Sequence, residues 1–237
     1  MLPILYQDAH LVAIDKPPGL LVHRTGLDAG ETRFAVQLLR DQLGQPVWPL
    51  HRLDKGTSGV LLFALSAEAA RAARAVFDTE GAVRKHYLAV VRGWPPAAGQ
   101  VDHPLKRLAD DARCGPQALA VQPARTRFRT LAHYALPLPY GDFSHTRCAL
   151  LALVPETGRR HQLRRHCKHM AHPIIGDATH GKGPLNRALA AWLGTARLWL
   201  HAQAVGLHLP WQPQPLWIEA APSPAWQLWR RWAVPQG

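Results

Sequence analysis

A continuous apolar run, GVLLFAL at residues 59–65, restricts the fold of this chain more than any other stretch. Its length suits a β-strand, and a strand without polar alternation is typical of the interior of a sheet. The charged segment HRLDKGTSG at residues 51–59 leads directly into this run. Removing a charge from water is costly unless the charge is paired. The charged residues of this segment therefore form either a functional site or a solvated loop.

The rest of the chain shows alternating strand and helix patterns with no linker between domains. Strands are predicted in ILYQD, LVAIDK, KHYLAVVRG, RLWLHAQAVGLHL and LWIEA, and in a hairpin of ARTRFRTLAHYAL and SHTRCALLALVP. Helices are predicted over residues 32–43, after a Ser66 cap, over residues 159–170, in NRALAAWLG, and in SPAWQLWRRWAV after a Ser223 cap. This order of elements predicts one α+β domain with a large, mostly antiparallel sheet.

The charge balance indicates a polyanionic partner. Lys and Arg total 28 against 16 Asp and Glu, which gives a formal net charge of +12. Nucleic acids and anionic membranes are the usual partners of such a chain. A membrane is the weaker alternative, because no predicted helix sets a basic face against a strongly apolar one. A genome that favours Arg over Lys would also raise the isoelectric point, so composition alone leaves that explanation open.

The chain has the features expected of a cytoplasmic protein. No stretch reaches the ~18 uncharged apolar residues that a membrane helix needs. The first ten residues, MLPILYQDAH, lack the basic start and the apolar core of a signal peptide. The three cysteines, Cys114, Cys148 and Cys167, match no disulfide spacing, so reduced and mostly buried thiols are expected.

Asp54 is the first candidate for a reacting group. It precedes Gly56 and Gly59, which leave the backbone open on one side. The alternative is an Asx-turn, in which the carboxylate accepts hydrogen bonds from the N–H groups of Thr57 and Ser58. The local sequence does not distinguish between these two roles.

The segment ETGRRHQLRRHCKH at residues 156–169 supplies a second group of candidates. Glu156 is its only acid, so its cations repel one another unless phosphates lie between them. A solvated helix face is the alternative. Helical spacing directs Leu163 inward, and Arg164 beside it has the reach to pair with a buried carboxylate and to hold Asp54 ionised.

The same segment is rich in potential metal ligands, namely His166, Cys167, His169 and His172. Steps of three residues rotate round a helix, so the histidine side chains do not converge well. No complementary CxxC or HxxxH pair lies elsewhere in the chain. A metal site is therefore not expected.

Tyr87 is the third candidate. It lies on a predicted strand, with Lys85 and Ala89 on the same face. A core tyrosine with a satisfied hydroxyl is the commoner case. The alternative is an aromatic platform for a nucleobase, with the cations Arg84, Lys85 and His86 directed at phosphates.

Five ordered motifs resemble those of the RluA-type pseudouridine synthases. They are HRLDKGTSGVLLFALS, RKHYLAVVRG, PETGRRHQLRRH, HPIIGD and LHA, and the opening ILYQDAHLVAIDKPPGLLVHR is similar to the first strands of that family. The similarity runs from Ile4 to residues 200–202. LVHR, RKHYLAVVRGW and GRRHQLRRH are most similar to the branch of the family that acts on uridine 65 of tRNA. Lys55 stands where many members have Arg, and no S4-like domain is expected before the catalytic domain.

The resemblance implies a role for each matching residue. Asp54 matches the essential aspartate, which attacks the nucleoside or abstracts a proton. Arg52 matches the arginine that enters the space left by the flipped base, and Tyr87 matches the tyrosine that packs on the uracil. Arg164 matches the basic residue paired with the catalytic carboxylate, and Leu163 matches the wall of its pocket. We also expect RNA binding by the neighbouring cations Lys55, Lys85, Arg159, Arg160, Arg165 and Lys168.

The resemblance also implies a fold and a reaction. The family fold is one catalytic domain, here residues 1–237, with a mixed, mostly antiparallel central sheet flanked by helices. The implied reaction isomerises a uridine of structured RNA, above all tRNA, after the base is flipped out. We expect a monomer that uses no cofactor and no metal. Modification of ribosomal RNA, non-catalytic RNA binding and metal-dependent RNA hydrolysis are the alternatives.

Overall fold

The computed structural model of the protein describes residues 1–23, 30–108 and 120–235. The chain divides into two units. The first comprises Met1–Tyr87 with Leu200–Ser223, and the second comprises Leu88–Trp199 with Pro224–Gly237. Cys114 lies outside the described residues.

The elements of secondary structure follow the order of the chain. They are β1 (Ile4–Gln7), β2 (Leu11–Lys16), α1 (Ala35–Leu43), β3 (Trp48–Pro49), β4 (Ser58–Ala64), α2 (Ala67–Asp78), β5 (Val83–Arg92), β6 (Ala98–Asp102), β7 (Leu105–Lys106), β8 (Val121–Gln122), β9 (Arg125–Leu136), β10 (Thr146–Pro155), α3 (Gln162–His169), α4 (Gly183–Leu193), β11 (Leu200–Leu207), β12 (Leu216–Glu219), a 3-10 helix (Pro224–Trp232) and β13 (Ala233–Val234).

Strand β4 lies at the centre of the sheet in the first unit, with β2 on one side and β11 on the other. All seven residues of β4 are buried, as its continuous apolar run predicts. The β2–β4 pairing is antiparallel and the β4–β11 pairing is parallel. Strands β1, β3 and β12 add antiparallel pairs to this sheet. The sheet is therefore mixed and mostly antiparallel.

Two helices of the first unit end or begin where the sequence predicts. Helix α1 begins after Phe34 and ends at Gly44, which takes a positive φ of 69°. At the start of α2 the Ser66 hydroxyl accepts a hydrogen bond from the Ala69 N–H at 3.1 Å. Ala69 and Ala73 then pack into the same buried cluster as alternate residues of β4.

A long antiparallel hairpin of β9 and β10 forms most of the sheet in the second unit. Strands β6 and β13 both pair with β9 in antiparallel register. At the hairpin tip the backbones of Tyr140 and Phe143 hydrogen-bond to each other across Gly141, which has a φ of +61°. The hairpin thus agrees with its prediction from the sequence.

Several predicted helices differ from the structure. Helix α1 begins at Ala35 rather than at residue 32, and α4 begins at Gly183, ahead of the predicted segment NRALAAWLG. Helix α3 begins at Gln162 rather than at residue 159, because His161 has a φ of +54°, which a helix cannot continue through. The segment predicted as a helix after Ser223 is a 3-10 helix followed by a short strand. Its tryptophans, Trp226, Trp229 and Trp232, recur every third residue, and a 3-10 helix places such residues on one face.

The predicted α+β class with a mixed, mostly antiparallel sheet is confirmed.

In the second unit, Trp199 and Trp229 are both 1% exposed and their rings meet edge to face at 5.3 Å. Cys148 and Cys167 are free and buried, and burial raises the pKa of each thiol to about 12. Within the described residues, no helix combines the length and the apolar character needed to cross a bilayer.

Candidate active site

Asp54 lies in a tight, partly buried loop between β3 and β4. The Thr57 N–H donates to the backbone carbonyl of Asp54 at 3.0 Å, so the main chain itself closes the turn. The Gly19 N–H donates to the backbone carbonyl of Lys55 at 2.8 Å. The loop that carries Asp54 is therefore stabilised by one hydrogen bond within the loop and by one from the PPG segment at residues 17–19.

The start of β4 approaches β11 so closely that it requires a glycine. Gly59 has a φ of +107°, and a Cβ atom at this position would overlap the backbone of Ala202. Ser58 and Gly59 pair in parallel register with His201 and Ala202. This contact fixes the end of the Asp54 loop.

A buried Ser–His pair reinforces the same contact. The Oγ atom of Ser58 lies 2.9 Å from Nδ1 of His201, and Nε2 of His201 lies 2.9 Å from the carbonyl oxygen of Ala220. A carbonyl oxygen only accepts, so Nε2 carries the proton, and in the neutral imidazole Nδ1 accepts from the Ser58 hydroxyl. His201 is the central residue of the LHA motif, and it thus links β11 to β4 and to Ala220, the residue that follows β12.

Lys16 ends β2 with a side chain that is 0% exposed. Its Nζ atom donates hydrogen bonds to three backbone carbonyls, those of Pro17 at 2.9 Å, Leu20 at 2.8 Å and Lys55 at 3.2 Å. Burial lowers the pKa of Lys16 to about 7, while the negative charges of Asp54 and Asp15 oppose the shift. The Lys16 side chain therefore fixes the backbone next to Asp54, and its positive charge attracts the Asp54 carboxylate.

Tyr87 lies on β5 and packs against the core of the first unit. Burial raises the pKa of its phenol, and the negative charge of Asp54 raises it further. The phenol is therefore neutral near pH 7. The first unit thus brings Tyr87, Asp54 and Lys16 within electrostatic range of one another.

The remaining candidates in the first unit have different surroundings. Arg52 is exposed. The Nζ atom of Lys55 lies 2.8 Å from Oε1 of Glu31, in an ion pair whose side chains are both 41% exposed. The ammonium group of Lys85 lies 5.3 Å from the centre of the Phe77 ring, and burial lowers its pKa. Lys55 and Lys85 therefore each have a partner within the protein.

The first residue of helix α3, Gln162, anchors the helix to the rest of the second unit through hydrogen bonds. The side-chain amide of Gln162 makes four hydrogen bonds: it donates to the Arg125 carbonyl and the Thr126 hydroxyl, and it accepts from the Thr157 hydroxyl and the Arg159 N–H. Gln162 is 4% exposed. Its amide therefore joins the start of the helix to β9 and to the loop after β10.

Arg164, two residues after Gln162 on α3, pairs with a buried carboxylate. Its Nε atom donates to Oδ2 of Asp177 at 2.8 Å, and its Nη2 atom donates to Oδ1 at 2.8 Å. The sequence predicts a buried carboxylate partner for Arg164, and Asp177 is one. The pairing of Arg164 with Asp54 stays a prediction.

The other predicted residues of this segment range from buried to exposed. Leu163 is 7% exposed, as an inward-facing residue should be. Nε of Arg159 donates to the Pro123 carbonyl at 3.0 Å, and Nη1 of Arg165 donates to the Lys106 carbonyl at 2.9 Å. Arg160 is partly buried and Lys168 is exposed.

The histidines considered as metal ligands are engaged elsewhere. Nδ1 of His166 bonds to the Thr126 hydroxyl and Nε2 to the His103 carbonyl. Nδ1 of His172 bonds to the Arg92 carbonyl. His169 stacks on His103 with ring centres 3.8 Å apart. In the part of the chain that the structure describes, no group of three or more His, Cys, Asp or Glu residues forms a metal site.

Sequence reasoning did not single out Lys16, Gln162 or Asp177. A lysine after the apolar strand LVAID and before two prolines was one available clue, because a charge there is expensive to bury. Asp177 ends the HPIIGD motif, but its partner lies on another element. Gln162 gives no clue beyond its place in a motif.

Comparisons with known proteins give consistent results. Residues 10–169 match the model of a family described as RNA pseudouridylate synthase. The tRNA pseudouridine synthase C of Vibrio cholerae is 47% identical over 229 residues, which cover 96% of this chain and 93% of that protein. The protein of the same name from Haemophilus ducreyi is 47% identical over 228 residues, with the same two coverages of 96% and 93%.

Two solved structures share the fold. Human RNA Pseudouridylate Synthase Domain Containing 1 aligns with a TM-score of 0.74 and 26% identity, over 98% of this chain and 88% of that one. Human RNA Pseudouridylate Synthase Domain Containing 4 aligns with a TM-score of 0.71 and 28% identity, over 97% of this chain and 92% of that one.

Proposed function

The chain belongs to the RNA pseudouridylate synthase family, and from that premise we propose that it converts uridine 65 of tRNA to pseudouridine with Asp54 as the reacting carboxylate. The observation that carries the proposal is the 47% identity to a tRNA pseudouridine synthase C over 96% of the chain. The matched family region, residues 10–169, includes Asp54, Tyr87 and Arg164. A tRNA substrate also agrees with the prediction of a cytoplasmic protein.

The reaction places simple demands on the protein. The bond from uracil N1 to the ribose C1′ breaks, the base rotates, and a bond from C5 to C1′ forms, while a proton leaves C5 and N1 gains one. Product and substrate are isomers, so no oxidant or group donor is consumed. One ionised carboxylate in a preorganised, sheltered site can meet these demands.

Each site residue has a part in this proposal. Asp54 reacts, and the ring of Tyr87 packs on the uracil while its neutral phenol adds no second negative charge. Arg52, whose side chain is exposed, enters the stem where the target base has left it. Arg164 supports the Asp54 carboxylate, and Leu163 forms an apolar wall.

RNA binding is assigned to the cations Lys55, Lys85, Arg159, Arg160, Arg165 and Lys168. The exposed Lys168 suits direct phosphate contact best. Lys55 would exchange its Glu31 partner for a phosphate. Neutralisation of phosphates releases counterions, so the affinity for tRNA should fall steeply with salt. We further propose that both units act as one catalytic domain, because the relatives align over nearly the whole chain, and that the protein acts as a monomer.

The decisive test substitutes Asp54. Asp54→Asn keeps the size of the side chain, so the variant should bind tRNA as the wild type does and form no pseudouridine. Chemical mapping of pseudouridine in unmodified tRNA measures the product, and filter binding measures the affinity. Asp78→Asn is the matched control, because Asp78 is exposed and pairs with Arg74 on α2. Full turnover by Asp54→Ala would contradict the assigned mechanism.

A second experiment identifies the target. Bulk RNA from cells with and without the gene is mapped for pseudouridine. We expect the modification to be lost at position 65 of tRNA only. Loss from ribosomal RNA, or from another tRNA position, would contradict the proposed substrate. The alternative of non-catalytic RNA binding is not favoured, because the relatives are named as synthases.

A further inference from the structure

Asp177 carries a buried charge that the reaction proposed above does not use. Its side chain is 0% exposed, and the side chain of its partner Arg164 is 9% exposed. A buried ion pair is a poor source of stability, because the cost of desolvating both charges offsets much of their attraction. The pair therefore calls for another explanation.

The geometry of the pair fixes the plane of the guanidinium group. Nε and Nη2 of Arg164 each donate to a different oxygen of Asp177 at 2.8 Å. Two parallel hydrogen bonds prevent rotation of the planar group about its long axis. They occupy two of its five donors, and the Nη1 end of the fork points away from Asp177.

Asp177 is itself held firmly. Its Oδ1 atom accepts from the backbone N–H groups of Thr179 at 3.0 Å and His180 at 2.9 Å. Burial alone would raise the pKa of Asp177, but the bonds from Arg164 and these N–H groups lower it, so the carboxylate is ionised. Its backbone carbonyl also accepts from the side chain of Asn186 at 3.0 Å. The support behind Arg164 is therefore rigid and charged.

We propose that Asp177 is the positioning residue for Arg164, which sets the orientation of the guanidinium group before RNA binds. This inference rests on the proposed function, in which Arg164 supports the reacting carboxylate. Arg164 acts on the reaction, and Asp177 acts only through Arg164. A misplacement of a catalytic support by about 1 Å is enough to slow a reaction about 100-fold.

A double-mutant cycle tests this dependence. The four proteins are the wild type, Asp177→Asn, Arg164→Met and the double variant, and the measurement is the single-turnover rate of pseudouridine formation. Asp177→Asn should lower this rate about 10- to 100-fold with little change in Kd for tRNA. In the Arg164→Met background the same substitution should change the rate less than about twofold.

Two outcomes would overturn the inference: an equal rate loss in both backgrounds, or a wild-type rate for Asp177→Asn. If Asp177→Asn does not fold, Asp177→Glu keeps the charge but displaces the carboxylate, and the same cycle applies to it. Leu189→Ala is the control for destabilisation alone, because Leu189 is 0% exposed on α4 of the same unit. It should lower the melting temperature and leave the rate unchanged. Failure of the proposed function would instead appear as a wild-type protein that forms no pseudouridine.

Discussion

The buried ammonium group of Lys16 predicts that the protein becomes more stable as the pH rises above 7. The ordinary pKa of this lysine is 10.5, and burial in the folded protein lowers it to about 7. Between these two values the unfolded chain holds a proton that the folded protein has released. Because the unfolded state then binds more protons, the free energy of unfolding increases with pH in this window.

The size of the effect follows from the two pKa values. Each unit of difference corresponds to about 1.4 kcal/mol, so full protonation costs the folded state on the order of 5 kcal/mol at pH values below 7. Raising the pH from about 7.5 to about 9.5 should therefore recover roughly half of that cost. The recovery would be complete above pH 10.5.

Urea unfolding of the wild type and of Lys16→Met at these two pH values measures the effect. Methionine has a similar length and no titrating group, so the variant should lack the gain. Lys85 also has a pKa lowered by burial, but it titrates in both proteins and cancels in the difference. Lys168→Met, which changes an exposed lysine, should behave as the wild type. Parallel changes in the wild type and Lys16→Met would refute this reasoning.

Three further predictions concern stability. Gly59→Ala should cost more than about 2 kcal/mol, because its Cβ meets the backbone of β11, and a wild-type melting temperature would contradict this. Gln162→Leu keeps the side-chain volume but leaves buried hydrogen-bond partners unsatisfied, so chemical denaturation should show that the free energy of unfolding falls by about 2–3 kcal/mol. Gln212→Leu, at a partly buried position, is the control, and an equal loss in both variants would count against this prediction. Trp229→Ala should cost about 3–5 kcal/mol, whereas Trp217→Ala at a 48% exposed position should cost little, and equal melting temperatures of the two variants would speak against the packing described.

Features that depend on neighbours in the sequence were predictable. The run GVLLFAL gave the buried strand β4, and Ser66 caps α2 as its position predicts. Gly44 ends α1 because glycine readily takes the positive φ that a helix C-cap needs. The start of α3 was not predictable, because the residue type of His161 does not specify its left-handed backbone conformation.

Contacts between distant segments were harder to predict. Lys16 bonds to a carbonyl 39 residues away, and Gln162 bonds to a hydroxyl 36 residues away. The residue types lysine and glutamine do not indicate which distant groups these side chains will bond to. The prediction of a carboxylate for Arg164 came from the general cost of burying a cation, and that rule does not specify which carboxylate. Asp177 could therefore be identified as the partner of Arg164 only from the structure.

The parallel contact between β4 and β11 has a consequence for synthesis on the ribosome. Ser58 and His201, which meet in this contact, are 143 residues apart. The apolar strand β4 therefore leaves the ribosome long before the strand that covers one of its edges. An unpaired apolar edge is prone to aggregate, and pairing across so long a loop is slow. In the nascent protein this edge of β4 therefore stays unpaired until β11 has been made.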